Sequence, residues 1–236
     1  MTVTLSSANF TSNLDTDATV AMVLPSDVPS GASIVVILHD RSESVTADSI
    51  ADPVNGTWDG AMLRQGPSNN TATTMRTWVW VFTNSAALTG GANRTITATI
   101  SGVANTDWSA GWVSSDQGAM TFGAVATFLE TTVTGSAYAS NAVTTAGAGC
   151  VLGLFGTNNI QNDGDPVPSG SDALLANGTR SWIQGRAYSG AASESCAGAT
   201  HASDTGLFNQ HCLYLVEPSA GVSIPIVMHL RRMMGC

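Results

Sequence analysis

The sequence predicts an all-β protein, a jelly-roll-like β-sandwich, and three observations carry that expectation. Runs of β-branched and aromatic residues recur at strand length, as pleated, half-buried surfaces favour. Strong turn signals separate them: Pro29-Ser30-Gly31, Asn55-Gly56, Thr89-Gly90-Gly91, Asn162-Asp163-Gly164-Asp165 and Asn177-Gly178. Only 11% of the 236 residues are charged, too few for a helical bundle, and no convincing amphipathic helix appears.

In chain order, Ser33–His39 is a continuous apolar run suited to a strand covered on both faces. Thr77–Thr83 is rich in aromatic and β-branched residues, and places Trp78 and Trp80 on one face. Arg94–Ile100 alternates polar and apolar residues, so one face packs and the other meets water. Met120–Leu129, Cys150–Phe155 and His211–Val216 are further strands. Ser223–Met228 reads as an edge strand, because Pro225 has no N–H for a central ladder. The 48–50 and 109–115 stretches read as places for a helical turn. A two-part rhythm also shows. Pro29–Ile37 and Ala146–Phe155 each run from a turn into an apolar strand, and a Trp-bearing strand follows each, Thr77–Thr83 and then Arg180–Ile183. The leading expectation is a single β-sandwich domain over residues 1–236, with both halves feeding its two sheets. The alternative is two small β domains, 1–117 and 118–236.

The charge balance narrows the function classes. Seventeen acidic residues face eight basic ones, all arginine, for a net charge of -9. That disfavours a nucleic-acid surface, which needs cations to replace phosphate counterions. No apolar run approaches the ~20 residues of a membrane-spanning helix, and no secretory leader is expected at the start.

Motifs for chemistry are sparse. His39-Asp40-Arg41-Ser42 holds triad residue types, but neighbours along a strand point to opposite faces and cannot converge by themselves. Asp163 and Asp165 offer hard oxygen ligands in a loop without calcium-loop spacing, so a solvated turn is expected, as for Asp15 and Asp17. His201, His211 and His229 are dispersed, and their gaps to Cys196 and Cys212 match no zinc template. Of the four cysteines, Cys150, Cys196, Cys212 and Cys236, none forms a CxxC pair. The leading expectation is free thiols in a reducing cytoplasm. A Cys150–Cys212 bridge across a sandwich, with Trp182 between them in sequence, is the sharper alternative. No catalytic residue, cofactor or metal ligand is assigned. Trp108 and Trp112, four apart in a Ser/Gly/Ala-rich stretch, are expected at the surface as interface or glycan contacts. Arg231 and Arg232, the only basic doublet, are expected to dock on an acidic neighbour or to serve as a solubilising tail.

The order of features resembles a set of β-rich proteins of tailed bacteriophages. A glycine opens an apolar strand at Gly31–Ile37, and Ile50–Trp58 is similar to the form V-x-D-x-x-G-x-x-W, with Ile50 for Val and the glycine one place later, at Gly56. A Trp-rich strand, 78–82, then precedes a Gly-rich turn into an alternating strand, 90–99. The second half has a Gly-led strand at 149–155 and a closing apolar strand at 211–216. Pro53 and the 231–236 tail depart from the pattern. The resemblance implies a virion structural protein assembled in the host cytoplasm, an oligomeric capsid decoration, tail accessory or fibre component. It would contact copies of itself and other virion proteins, with no nucleic-acid or membrane partner. The alternative is a carbohydrate-binding receptor-recognition module of a tail fibre, meeting a host surface glycan. A depolymerase ranks third, since paired carboxylates are needed and Glu is scarce (Glu43, Glu130, Glu194 and Glu217).

Overall fold

A computed structural model of the chain describes residues 2–40, 46–58, 62–70, 75–101, 106–126, 129–133, 137–157, 166–200 and 206–218. These form an all-β protein; among them the sole helical element is a 3-10 turn, Ser7–Asn9, capped by the Ser6 hydroxyl. The first half supplies β1 (Val3–Thr4), β2 (Phe10–Asp15), β3 (Thr19–Val23), β4 (Ser33–Asp40), β5 (Thr46–Asp52), β6 (Gly56–Thr57), β7 (Met62–Asn70), β8 (Met75–Phe82), β9 (Thr95–Ser101) and β10 (Thr106–Ser115). The second supplies β11 (Thr121–Val125), β12 (Leu129–Val133), β13 (Ala137–Ala139), β14 (Val143–Thr144), β15 (Gly149–Thr157), β16 (Val167–Pro168), β17 (Ala173–Asn177), β18 (Ser181–Tyr188), β19 (Ser193–Glu194), β20 (Ala197–Ala199) and β21 (Gly206–Val216).

Among the described residues all strand pairings are antiparallel, and they nest. In the first half β2 pairs β10, β3 pairs β9, β4 pairs β8 and β5 pairs β6. In the second β12 pairs β21, β13 pairs β20 and β15 pairs β18. The central sheet of the first half runs β2-β10-β4-β8-β7, with β1 continuing the β2 edge. The central sheet of the second runs β12-β21-β15-β18-β17, with β11 continuing the β12 edge. The outer strands are β3-β9-β5-β6 on one side, and β13-β20-β16 with β14-β19 on the other.

Three apolar clusters bind these sheets into four layers. One lies between the first outer and first central sheets and holds Trp58, Trp78, Trp80, Trp108 and Trp112. A second lies between the two central sheets, with Val35, Ile37, Val79 and Val81 facing Leu152, Leu154, Ile183 and Leu213. The third joins the second central sheet to its outer strands through Tyr138, Phe155, Trp182 and Phe208. There the Trp182 and Phe155 rings stack at 5.1 Å and Tyr138 meets Trp182 edge-on, as aromatic quadrupoles prefer.

This layering explains the hydropathy patterns. β4 is apolar throughout because clusters cover both of its faces. β9 alternates because only Ile96, Ala98 and Ile100 turn inward. The two stretches expected to hold helical turns are strands, 48–50 within β5 and 109–115 within β10. In β10 the small residues Ser109, Ala110 and Gly111 let sheets close on both sides, and Gly111 lies against the Phe10 ring. The long 120–129 candidate divides into β11 and β12, both laid along β21. The expected strand at 223–228 lies outside the described residues.

Candidate functional site: a polar network between the central sheets

At one end of the two central sheets the facing side chains change from apolar to polar. Strand alternation turns His39 of β4, Thr77 of β8 and Asp107 and Ser109 of β10 toward the second sheet. Ser181 of β18 and Asn209 and His211 of β21 turn toward the first. All seven residues are 0% exposed. The Ser181 hydroxyl donates to Asp107 Oδ1 at 2.6 Å, and the Arg180 backbone N–H donates to Oδ2 at 2.8 Å. The Ser109 hydroxyl lies 3.0 Å from that of Ser181. Asn209 Nδ2 donates to Thr77 Oγ1 at 2.9 Å, and the Thr77 hydroxyl lies 3.0 Å from His39 Nδ1. Gly156 faces His39, where any side chain would overlap the imidazole. At the sheet margin Ser12 donates to the Asn177 carbonyl at 2.5 Å, joining β2 to β17.

The two halves of this network mirror each other. Trp78 pairs with Leu38 and Trp182 with Phe155. Those partners in turn pair with Trp108 and Gln210. Arg76-Thr77-Trp78 of β8 therefore corresponds to Arg180-Ser181-Trp182 at the start of β18, and Asp107 of β10 to Asn209 of β21. Asp107 reaches Ser181 while Asn209 reaches Thr77. Each half offers a side-chain acid or amide to the other half's hydroxyl, the reciprocal pattern of an isologous two-fold interface.

Burial sets the electrostatics. It pushes the Asp107 carboxyl up to about 6, against the opposing pull of Ser181 and Arg180. It pushes the His211 imidazole down to about 3. The Ser181 proton points at a carboxylate, and the Thr77–His39 pair has no exposed surface for a substrate to approach. What this arrangement does chemically is hold two sheets together in one register.

The residues singled out in the sequence are placed differently from expectation. Trp108 and Trp112 are interior, at 4% and 7% exposure, and Trp112 Nε1 donates to Ser26 at 3.1 Å. Their spacing of four puts both on one face of a strand, turned to the Trp-rich cluster, so they offer no surface platform. Arg231, Arg232, Asp163, Asp165, His201, His229, Ser42 and Cys236 lie outside the described residues. Asp15 accepts from the Asp17 backbone N–H at 3.0 Å, a local turn. His39 and Asp40 sit on opposite faces, and Asp40 accepts from Thr106 at 3.2 Å. The Cys150–Cys212 bridge is ruled out: Cys150 faces the first central sheet, whereas Cys212 faces the outer strands. The Asp52–Trp58 segment is a turn device. Asp52 accepts from the Val54 and Asn55 backbones and from Trp58 Nε1 at 2.7 Å, while Gly56 takes a φ of +74°.

Asp107, Ser181, Thr77 and Asn209 went unnoticed in the sequence. Their one signal was the repeated Arg-Thr/Ser-Trp triplet. No protein-family model, curated protein or solved structure matches the chain.

Proposed function

We propose that the protein is a structural component of a tailed-bacteriophage particle, an oligomeric capsid decoration or tail accessory protein, built as two jelly-roll-like sandwiches back to back. The observation that carries this reading is the nested pairing in each half. First strand with last, second with second-last, is the order of a long hairpin rolled into two sheets, and that architecture recurs in viral capsid and lectin domains. The interior supports the same reading. All six tryptophans and the central polar network are used for internal cohesion, which suits a rigid building block. With Trp108 and Trp112 interior, the glycan-binding alternative needs some other surface.

The partners on this reading are copies of the chain and neighbouring virion proteins, met after synthesis in the host cytoplasm. Light scattering on the purified chain, with copy-number determination in purified particles, tests it. A discrete oligomer, present at a symmetry-related copy number, is the expected result. A strict monomer that never co-purifies with particles would overturn it.

A further inference from the structure

Cys196 and Cys212 meet in the layer between the second central sheet and its outer strands. Cys212 is opposite Gly153 in the β15–β21 ladder, on the face turned to the outer strands. Cys196 crosses directly over that pair. A Cβ placed on Gly153 would lie 2.5 Å from the Cys196 Cβ. Facing Cβ atoms in an antiparallel ladder are about 4.5–5.5 Å apart, so the Cys196 Cβ lies roughly 2–8 Å from that of Cys212 on the same face, a span that includes disulfide geometry. Glycine at 153 is what lets the segment bearing Cys196 come this close. Backbone bonds pin that segment: Ser140 N–H donates to the Cys196 carbonyl at 2.9 Å, and the Ser140 hydroxyl accepts from Cys196 N–H at 3.0 Å.

We propose that Cys196 and Cys212 are a built-in disulfide site, thiols in a reducing compartment and a covalent clamp between β21 and the outer strands after exposure to a small-molecule disulfide. The two thiols share one buried apolar layer. Each thiol lies in the other's field, which holds Cys212 down and pushes Cys196 up. The Arg186 guanidinium, bound to Asp172 and Glu194, favours thiolate at the same place. Cys212 is therefore the attacking sulfur. Its thiolate displaces one thiolate from the small disulfide and forms a mixed disulfide. Cys196 then loses its proton, attacks the Cys212 sulfur and releases the second thiolate. Two protein thiols are oxidised, and one small disulfide is reduced to two thiols. Cys150, on the opposite face of the sheet, takes no part.

The test is refolding of the full chain in oxidised and reduced glutathione, alkylation of residual thiols, and peptide mapping without reduction. A linked peptide joining Cys196 to Cys212, with Cys150 recovered as an alkylated thiol, is expected. The oxidised protein should melt about 5–10 °C above the same protein kept in reductant, given the short loop closed. Cys196→Ser should abolish that difference. Recovery of Cys196 and Cys212 both alkylated, or linked instead to Cys150, Cys236 or glutathione, would overturn the proposal. The mapping uses the unaltered chain, so its outcome does not depend on how a variant folds.

Discussion

Trp108 is packed among other tryptophans, so its removal has a structural consequence. Trp108→Ala leaves a large cavity and should destabilise the protein by about 3–5 kcal/mol in a denaturant titration. A surface contact residue would move by less than about 0.5 kcal/mol. Asp52 makes a second sharp case. It satisfies two backbone N–H groups and the Trp58 indole at once. Asp52→Ala leaves the buried Trp58 indole N–H and two turn N–H groups unpaired and should cost about 2–3 kcal/mol, again by denaturant titration. Gly156 is fixed by the approach of His39. Gly156→Ala should lower the melting temperature through overlap with the ring, a cost of about 1–3 kcal/mol. Gly91→Ala, where a Cβ meets only open space, is the matched control and should be close to neutral.

At the element scale, β10 and β21 carry the chemistry that joins the halves. Asp107 on β10 binds protons more tightly folded than unfolded, because burial raises its carboxyl from 3.8 to about 6. The stability from this group is fully present below about pH 3.8 and is lost as the pH rises through about 6. At about 1.36 kcal/mol per pH unit, that swing is roughly 3 kcal/mol. His211 on β21 acts in the opposite sense. Its neutral ring contributes fully above its ordinary value of 6.5, and the contribution is lost as the pH falls toward about 3. The two slopes oppose each other between about pH 4 and 6. Urea unfolding of the unaltered chain and of Asp107→Asn, from pH 4 to 7, separates them. The stability of the unaltered chain relative to the variant should decline across that range, and a flat difference would contradict the buried-carboxyl account.

At the scale of the whole molecule, the halves share one interior. The apolar cluster between the central sheets draws on β4, β8 and β10 from the first half and on β15, β18 and β21 from the second. Neither central sheet has a second solvent-ready face, so the halves should unfold together. Five tryptophans lie in the first half and Trp182 in the second. Thermal unfolding followed by tryptophan emission of Trp182→Phe reports the first half alone, and far-ultraviolet circular dichroism of the same protein reports both. The two midpoints should coincide, and separated midpoints would show two independent units.

Strand type and layer were legible in residues 33–39 and 94–100. A run apolar on both faces can be satisfied only between two layers, and an alternating run only at the boundary with water. The paired Trp-bearing strands carried the two-part plan, seen faintly because structural equivalence needs only the same pattern of burial. What the sequence by itself determined was therefore local: all-β character, the periodicity of individual strands, and the turns, including Asp52–Gly56. The tertiary structure alone decided which faces meet. Trp108 and Trp112 looked like surface residues because small polar neighbours surround them in sequence, and only the sheets closing on both sides of β10 bury them. Asp107 meets Ser181, and Cys196 meets Cys212, across gaps of 74 and 16 positions. Such meetings arise from strand register and sheet stacking, which depend on the whole core and leave no mark on the spacing of the residues they join.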